Sequence, residues 1–190
     1  MEYYILAQDE RITEFEEPAG IAKSVDQRML RNEEGRAQLE HTILQFYTQG
    51  KGEYIDFIDR PIPLVSDALK AIFERYQPNV YYKLVVLADV KAMKQSLYWI
   101  AVPETVNGLS EESEWNRNDT LKRPMLEPNR LGHYKIFRIA ERLEDFIVVD
   151  LDVAESILRY GLKGITLKKI DVRGMYNELQ LCGRRRLPSV

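Results

Sequence analysis

Apolar positions along this chain fall into two rhythms. Residues 3–7, 43–48, 54–58, 81–88, 96–102, 134–140, 146–149 and 165–170 are short runs rich in β-branched, aliphatic and aromatic side chains, with the length and composition of strands. Two other stretches place apolar residues every third or fourth position, as one face of a helix does. In 66–76 these are Ala68, Leu69, Ile72, Phe73 and Tyr76; in 151–161 they are Val153, Ala154, Ile157, Leu158 and Gly161.

The stretch FIVVDLDVAESILRYGLKGITLKKI, residues 146–170, organises the rest. Phe146, Ile147, Val148 and Val149 suit a strand covered on both faces, and it stops at Asp150. Asp150 and Asp152 can each accept from the free amides of a helix first turn, and Asp152 with Glu155 has capping-box spacing. A helix therefore starts near Leu151. Gly161 or Gly164 can supply the positive φ that ends it before the next strand. The earlier helix has Ser66 as its cap and follows Ile62-Pro63-Leu64, a poorer strand because of its proline. Laying Asp67 over Asp152 brings the two apolar faces into register with the caps offset by one, which reads as two similar packing solutions rather than a duplication.

Between these units, 9–23 is polar, broken by Pro18 and Gly20, and reads as a loop. Residues 32–38 can begin a short helix, and 49–52 a turn. The runs 81–88 and 96–102 are joined by a hairpin-length connection and should pair antiparallel. Residues 104–130 change character, with prolines, asparagines and the acids Glu111, Glu112 and Glu114 beside Trp115, and read as a long surface excursion. The predicted architecture is α+β: one domain over 1–172, a largely antiparallel sheet with two amphipathic helices packed on it, and a tail over 173–190.

Composition narrows the function classes. The chain has 190 residues, 45% hydrophobic and 30% charged, with a formal net charge of -3. That is the balance of a folded globular protein with neither a strongly basic nor a strongly acidic surface, so no nucleic-acid partner is expected. One cysteine, Cys182, cannot close an internal disulfide. With His41 and His133 as the only histidines, a metal centre of nitrogen and sulfur ligands has little material, and no cofactor is expected. No signal peptide or membrane span is readable, so the expected location is the cytoplasm and no membrane partner is expected.

Catalytic signatures are equally sparse. No GxGxxG, P-loop, HExxH, nucleophile elbow or paired CxxC occurs. Asp150 and Asp152 resemble paired acids that hold a divalent cation in some sugar-transferring enzymes, but a cap is the more economical reading of acids at a strand-to-helix junction. Asp56 and Asp59 beside Arg60 could form an acid/base pair; a strand end and a solvated ion pair explain them more simply. Eleven tyrosines offer rigid amphipathic contact area of the kind binding surfaces use.

The segments YYIL near the start, VSDALKAIF, KIFRIA and FIVVDLDVAESILRYGLKGITL together resemble the immunity proteins of bacterial polymorphic toxin systems, chiefly over the C-terminal third. That resemblance implies a small cytoplasmic protein that neutralises a cognate toxin by binding it, without a cofactor or catalysis. The 104–130 stretch and the arginine-bearing tail depart from the pattern, and no individual binding residue carries over. The expected contact surface is Glu111, Glu112, Glu114 and Trp115, since an aromatic among like charges can anchor and steer a basic partner. Two alternatives stand beside it: an enzyme with an unrecognised, divalent-metal-assisted site near Asp150 and Asp152, and a structural protein self-associating through its tyrosine-rich strands.

Overall fold

In the computed structural model the described residues are 1–48, 52–141 and 144–174. In chain order the elements are β1 (Tyr3–Gln8), α1 (Ile21–Ser24), α2 (Gln27–Leu30), α3 (Glu33–Glu40), β2 (Leu44–Tyr47), β3 (Phe57–Ile58) and β4 (Leu64–Ser66). They continue with α4 (Asp67–Tyr76), β5 (Tyr81–Asp89), β6 (Lys94–Val102), β7 (Glu114–Trp115), β8 (Leu121–Arg123) and β9 (Met125–Leu126). Last come β10 (Ile136–Glu141), β11 (Glu144–Asp150), α5 (Leu151–Tyr160) and β12 (Ile165–Val172). The α+β class holds, but the expected single sheet with two helices does not. The described residues form two five-stranded sheets, a small β7–β8 ribbon and five α-helices.

The terminal sheet runs β10, β11, β1, β12, β9, and the central sheet runs β2, β5, β6, β4, β3. Each is antiparallel except for one parallel pair at an edge, β12 with β9 and β2 with β5. The terminal sheet unites the two ends of the described chain: Tyr3 lies opposite Asp150 on one side and Ile170 on the other. Strand runs of similar composition offer the same hydrogen-bonding edges to any partner, so their division between two sheets is not encoded locally.

Three cores result. On one face of the central sheet, Val85, Leu87, Tyr98 and Ile100 pack with Ile21, Val25, Leu30 and Leu39 from the α1–α3 region. The other face shares a core with α4, α5 and one face of the terminal sheet, through Val65, Leu69, Phe73, Ile147, Val153 and Ile157. On the far face of the terminal sheet, Tyr3, Phe137, Val148 and Ile170 meet Val106, Leu109, Leu126 and Leu131. The 104–130 stretch is therefore a folded cover rather than a structureless excursion. It carries three short strands and a 3-10 turn at Pro128–Arg130, and it buries Leu109 and Leu126.

Both long helices start at the last residue of a strand. The Ser66 hydroxyl accepts from the Leu69 amide at 3.2 Å, and the Asp150 carboxylate from the Val153 amide at 3.0 Å. Ser66 and Asp150 are thus the equivalent caps, which pairs Leu69 with Val153 and Phe73 with Ile157. That register corrects the sequence alignment by one residue. Leu158 and Ala68, expected on the buried faces, point outward, with Leu158 70% exposed. Gly161 ends α5 at φ 64, one turn-closing position past the buried face. The helices pack on each other, and the Tyr76 hydroxyl bonds the Ser156 hydroxyl at 2.8 Å. Asn32 caps α3 as its sequence predicts, accepting from the Gly35 amide at 2.7 Å.

The strand expected over 54–58 shortens to Phe57–Ile58, because Asp56 is occupied otherwise. It is buried, and its two carboxylate oxygens accept from the Ser66 hydroxyl at 2.6 Å and the Lys163 amide at 2.7 Å. Its own amide donates to the Lys163 carbonyl at 2.8 Å, and its carbonyl accepts from the Ser66 amide at 2.9 Å. One aspartate thus ties the start of α4 to the turn after α5, and the expected solvated pair with Arg60 is replaced by a buried bridge. Gly164 lets that turn approach: at φ +73, a Cβ there would sit 2.5 Å from the Ile55 Cβ. The turn expected at 49–52 lies outside the described residues except for Gly52. So do Cys182 and Arg184, Arg185 and Arg186 of the tail.

Candidate functional site

Three places had reason to carry function, and their geometry separates them. At the strand-to-helix junction, Asp150 is buried and engaged as the α5 cap, and its amide donates to the Lys135 carbonyl at 2.9 Å. Asp152, exposed, takes no part in a capping box and pairs instead with the Lys135 ammonium, which also lies 3.5 Å from Asp150. The hydrogen bond to Asp152 raises the Lys135 pKa, so the ammonium is held charged. The same ammonium stands 5.4 Å from the Tyr76 ring centroid. A lysine thus occupies the position between the two carboxylates that a divalent ion would need, and among the described residues no three His, Cys, Asp or Glu side chains converge as ligands. His41 and His133 are both exposed, as their isolation in sequence implies.

The acidic stretch around Trp115 is partly neutralised by its own surface. Glu114 pairs with Lys122 at 3.0 Å and approaches Arg123 at 4.0 Å, while Glu112 pairs with Arg173 at 2.9 Å. Trp115 is half-buried against the cover of the terminal sheet. Glu111 is exposed, and with Trp115 and Arg130 it lines a hollow of about 420 Å³. The structure therefore brings Glu111 and Trp115 to one hollow and turns Glu112 and Glu114 toward cations elsewhere on the same face. Steering of a basic partner by three free acids is correspondingly reduced.

The third place was not singled out by sequence reading. Residues 84–88 and 97–102 are continuous apolar runs, the pattern of strands covered on both faces. Among the described residues, only one face of the central sheet is covered along its whole length. On the other, α4 reaches as far as Trp99, whose indole nitrogen donates to Asp67 at 2.6 Å, while Lys70 lies over the Tyr82 and Trp99 rings at 4.9 and 4.6 Å. Beyond that edge no helix or strand among the described residues lies over the face. Leu84 sits across from Trp99, Val86 across from Leu97, and Gln45 beside Val86. Tyr47 on β2, where buried and exposed residues alternate, and Ile43 just before that strand continue the same face. Exposure is 88% at Ile43, 61% at Tyr47, 44% at Leu97 and 37% at Leu84. Ile43, just before β2, and Tyr47, Leu84 and Leu97, on three neighbouring strands, thus share one face around the exposed Gln45, more closely grouped than the scattered exposed apolar residues normal to any surface. Unalternating strands combined with too few helical segments to cover both faces is the signal that could have found it.

No protein-family model matches this chain, and no curated protein sequence matches it significantly.

Proposed function

We infer that this protein acts by binding another protein through the exposed half of the central sheet, without catalysis, as an immunity protein neutralising a cognate bacterial toxin. The observation that carries the reading is the grouping of Tyr47, Leu84 and Leu97 on three adjacent strands, with Ile43 just before β2, all open to solvent. Rigid strands present these side chains with little ordering cost on association, and an apolar centre bordered by polar side chains is how stable interfaces are built. The exposed Lys91, Lys94 and Gln95 at the β5–β6 hairpin supply part of such a border. The strand, cap, helix, glycine and strand order that underlies the family resemblance recurs at β11, α5 and β12, which is compatible with the reading. The hollow at Glu111 and Trp115 is a second, smaller contact surface, flanked by Glu112 and Glu114. In this reading the protein needs no cofactor and works in the cytoplasm.

An immunity gene lies directly beside the gene for a larger multidomain toxin, so the test pairs this chain with the product of such a neighbour. Wild-type protein should bind it and protect growing cells. Leu84→Glu combined with Leu97→Glu should weaken binding by about 100-fold or more, because two central apolar contacts are lost and two charges desolvated. The unfolding midpoint should stay close to wild type, since both positions are solvent-exposed. Unchanged affinity in this variant removes the sheet face from the proposal. Replacing Glu111, Glu112 and Glu114 with lysine then asks whether the hollow contributes, read as altered salt dependence of binding. The absence of a neighbouring toxin gene would count against the immunity role.

A further inference from the structure

Strands β1 and β11 pair from Tyr3 and Asp150 to Leu6 and Ile147, and then part. Strand β1 continues along β12 to Gln8 and Ile165, whereas the beginning of β11 continues along β10, Glu144 facing Glu141. The diverging strands leave a wedge in the terminal sheet, and a cavity of about 710 Å³ opens beside it, bordered also by α2 and the residues leading into β4. That volume is in the range of small-molecule sites. Leu6, Leu30, Phe57 and Ile147 back it, fully buried, and the partly exposed Ile5, Pro61, Pro63 and Phe146 give it an apolar wall.

Into this wall is set one charged side chain. Arg138, on β10 opposite Ile147, is 3% exposed and lines the cavity. Its Nε donates to the Thr105 hydroxyl at 3.3 Å and lies 3.5 Å from the Asp145 carboxylate. Among the described residues, neither terminal amine of the guanidinium has a hydrogen-bond acceptor. Asp145 is shared with a second guanidinium, Arg31, at 3.7 Å. Two cations and one carboxylate leave a unit of positive charge in excess; farther out, Arg36 adds to the positive charge felt by Arg138 and the exposed Glu104 opposes it. Burial lowers the Arg138 pKa and raises that of Asp145, so desolvation outweighs their mutual attraction. An arginine does not escape by losing its proton. The other charges at the rim sum to zero: Lys168 pairs with Glu10 at 3.7 Å, and Arg60 balances Asp59, which also accepts from the Gln8 amide at 3.4 Å.

We propose that this cavity binds a small organic carboxylate with an apolar body. The carboxylate lies in the fork of the Arg138 terminal amines, and the body lies against Ile5, Pro61, Pro63 and Phe146. A planar monoanion matches the guanidinium fork and the single unit of excess charge. A phosphate dianion would exceed that charge and face Asp145 and Asp59. A bare inorganic anion would leave the apolar wall uncovered. This site does not depend on the sheet face that carries the proposed partner.

The test is calorimetry and amide NMR titration of the full chain with octanoate, using octanol and acetate as the body and the head alone. Octanoate should saturate at one per chain, with octanol and acetate each at least about tenfold weaker. Arg138→Gln should reduce octanoate to the level of octanol. Because that substitution removes one of the two cations beside Asp145 and could impair folding, Gln27→Trp serves as a second variant: Gln27 is exposed on α2 and borders the cavity, so the indole should block entry in a folded protein. No saturable octanoate binding, equal binding of octanol, or undiminished octanoate affinity in Gln27→Trp overturns the proposal.

Discussion

A buried carboxylate is tolerated when hydrogen bonds replace the water it has lost. Asp56 has that replacement: a hydroxyl and an amide reach its two oxygens, and among the described residues it has no ion-pair partner. Hydrogen bonds to a charged acceptor contribute about 1.5–3 kcal/mol each, and they are not additive. Asp56→Ala should therefore lower the unfolding free energy by about 2–4 kcal/mol in urea titrations, and Ser66→Ala by about 1–2 kcal/mol through loss of the α4 cap. The double variant should cost about 1 kcal/mol less than the sum, since each change removes the other's partner; strict additivity would mean that the two side chains act separately. Nothing beside Asp56 in the chain signals this role. Its partners lie ten and more than a hundred residues away, so the neighbouring Arg60 is the natural but incorrect guess.

At the level of elements, helix starts are readable and helix faces less so. A cap is a contact between residues three apart, so Ser66, Asn32 and Asp150 announce themselves. Which arc of the helix is buried depends on where the sheets lie, and a stripe of five apolar residues admits more than one rotation. Exposure decides it: Phe73 is fully buried and Leu158 is 70% exposed. Phe73→Ala should cost about 3–5 kcal/mol by emptying a core position, whereas Leu158→Ala should change stability by no more than about 0.5 kcal/mol. Chemical unfolding of the two variants separates these registers, and similar losses in both would restore the alignment read from sequence. The short helices α1 and α2 have four residues each, too few for a helical period to show. They exist because Ile21 and Leu30 find a sheet face to cover.

At the scale of the molecule, the core between the sheets draws on both sheets and on α4 and α5 together, so neither sheet can lose its packing without exposing the other. The expected consequence is one cooperative transition. The two tryptophans report on different regions: Trp99 lies in the central sheet, and Trp115 lies against the cover of the terminal sheet. Trp115→Phe leaves a chain that reports only from the central sheet, and Trp99→Phe one that reports only from the cover. After each substitution's own effect is measured by circular dichroism, the fluorescence midpoint of each variant should coincide with its far-ultraviolet midpoint. Separated midpoints in either chain would show that the sheets unfold as independent units. The exposed sheet face and the cavity beside Arg138 belong to this scale as well, because each is defined by what the assembled layers fail to cover.

What the amino-acid order determined by itself is whatever a few consecutive residues can enforce: the strand runs, the caps, the lengths of α4 and α5, and the glycine stops. These follow from backbone sterics and contacts within a turn or two. Only tertiary structure decided which strands share a sheet, which helix arc is buried, that 104–130 is a cover, and which apolar face stays open. The physical reason is that a strand edge and an apolar stripe are generic. Leu84 and Leu97 carry no mark distinguishing them from Val85 and Ile100, and water reaches one pair and not the other only because α4 stops at Trp99.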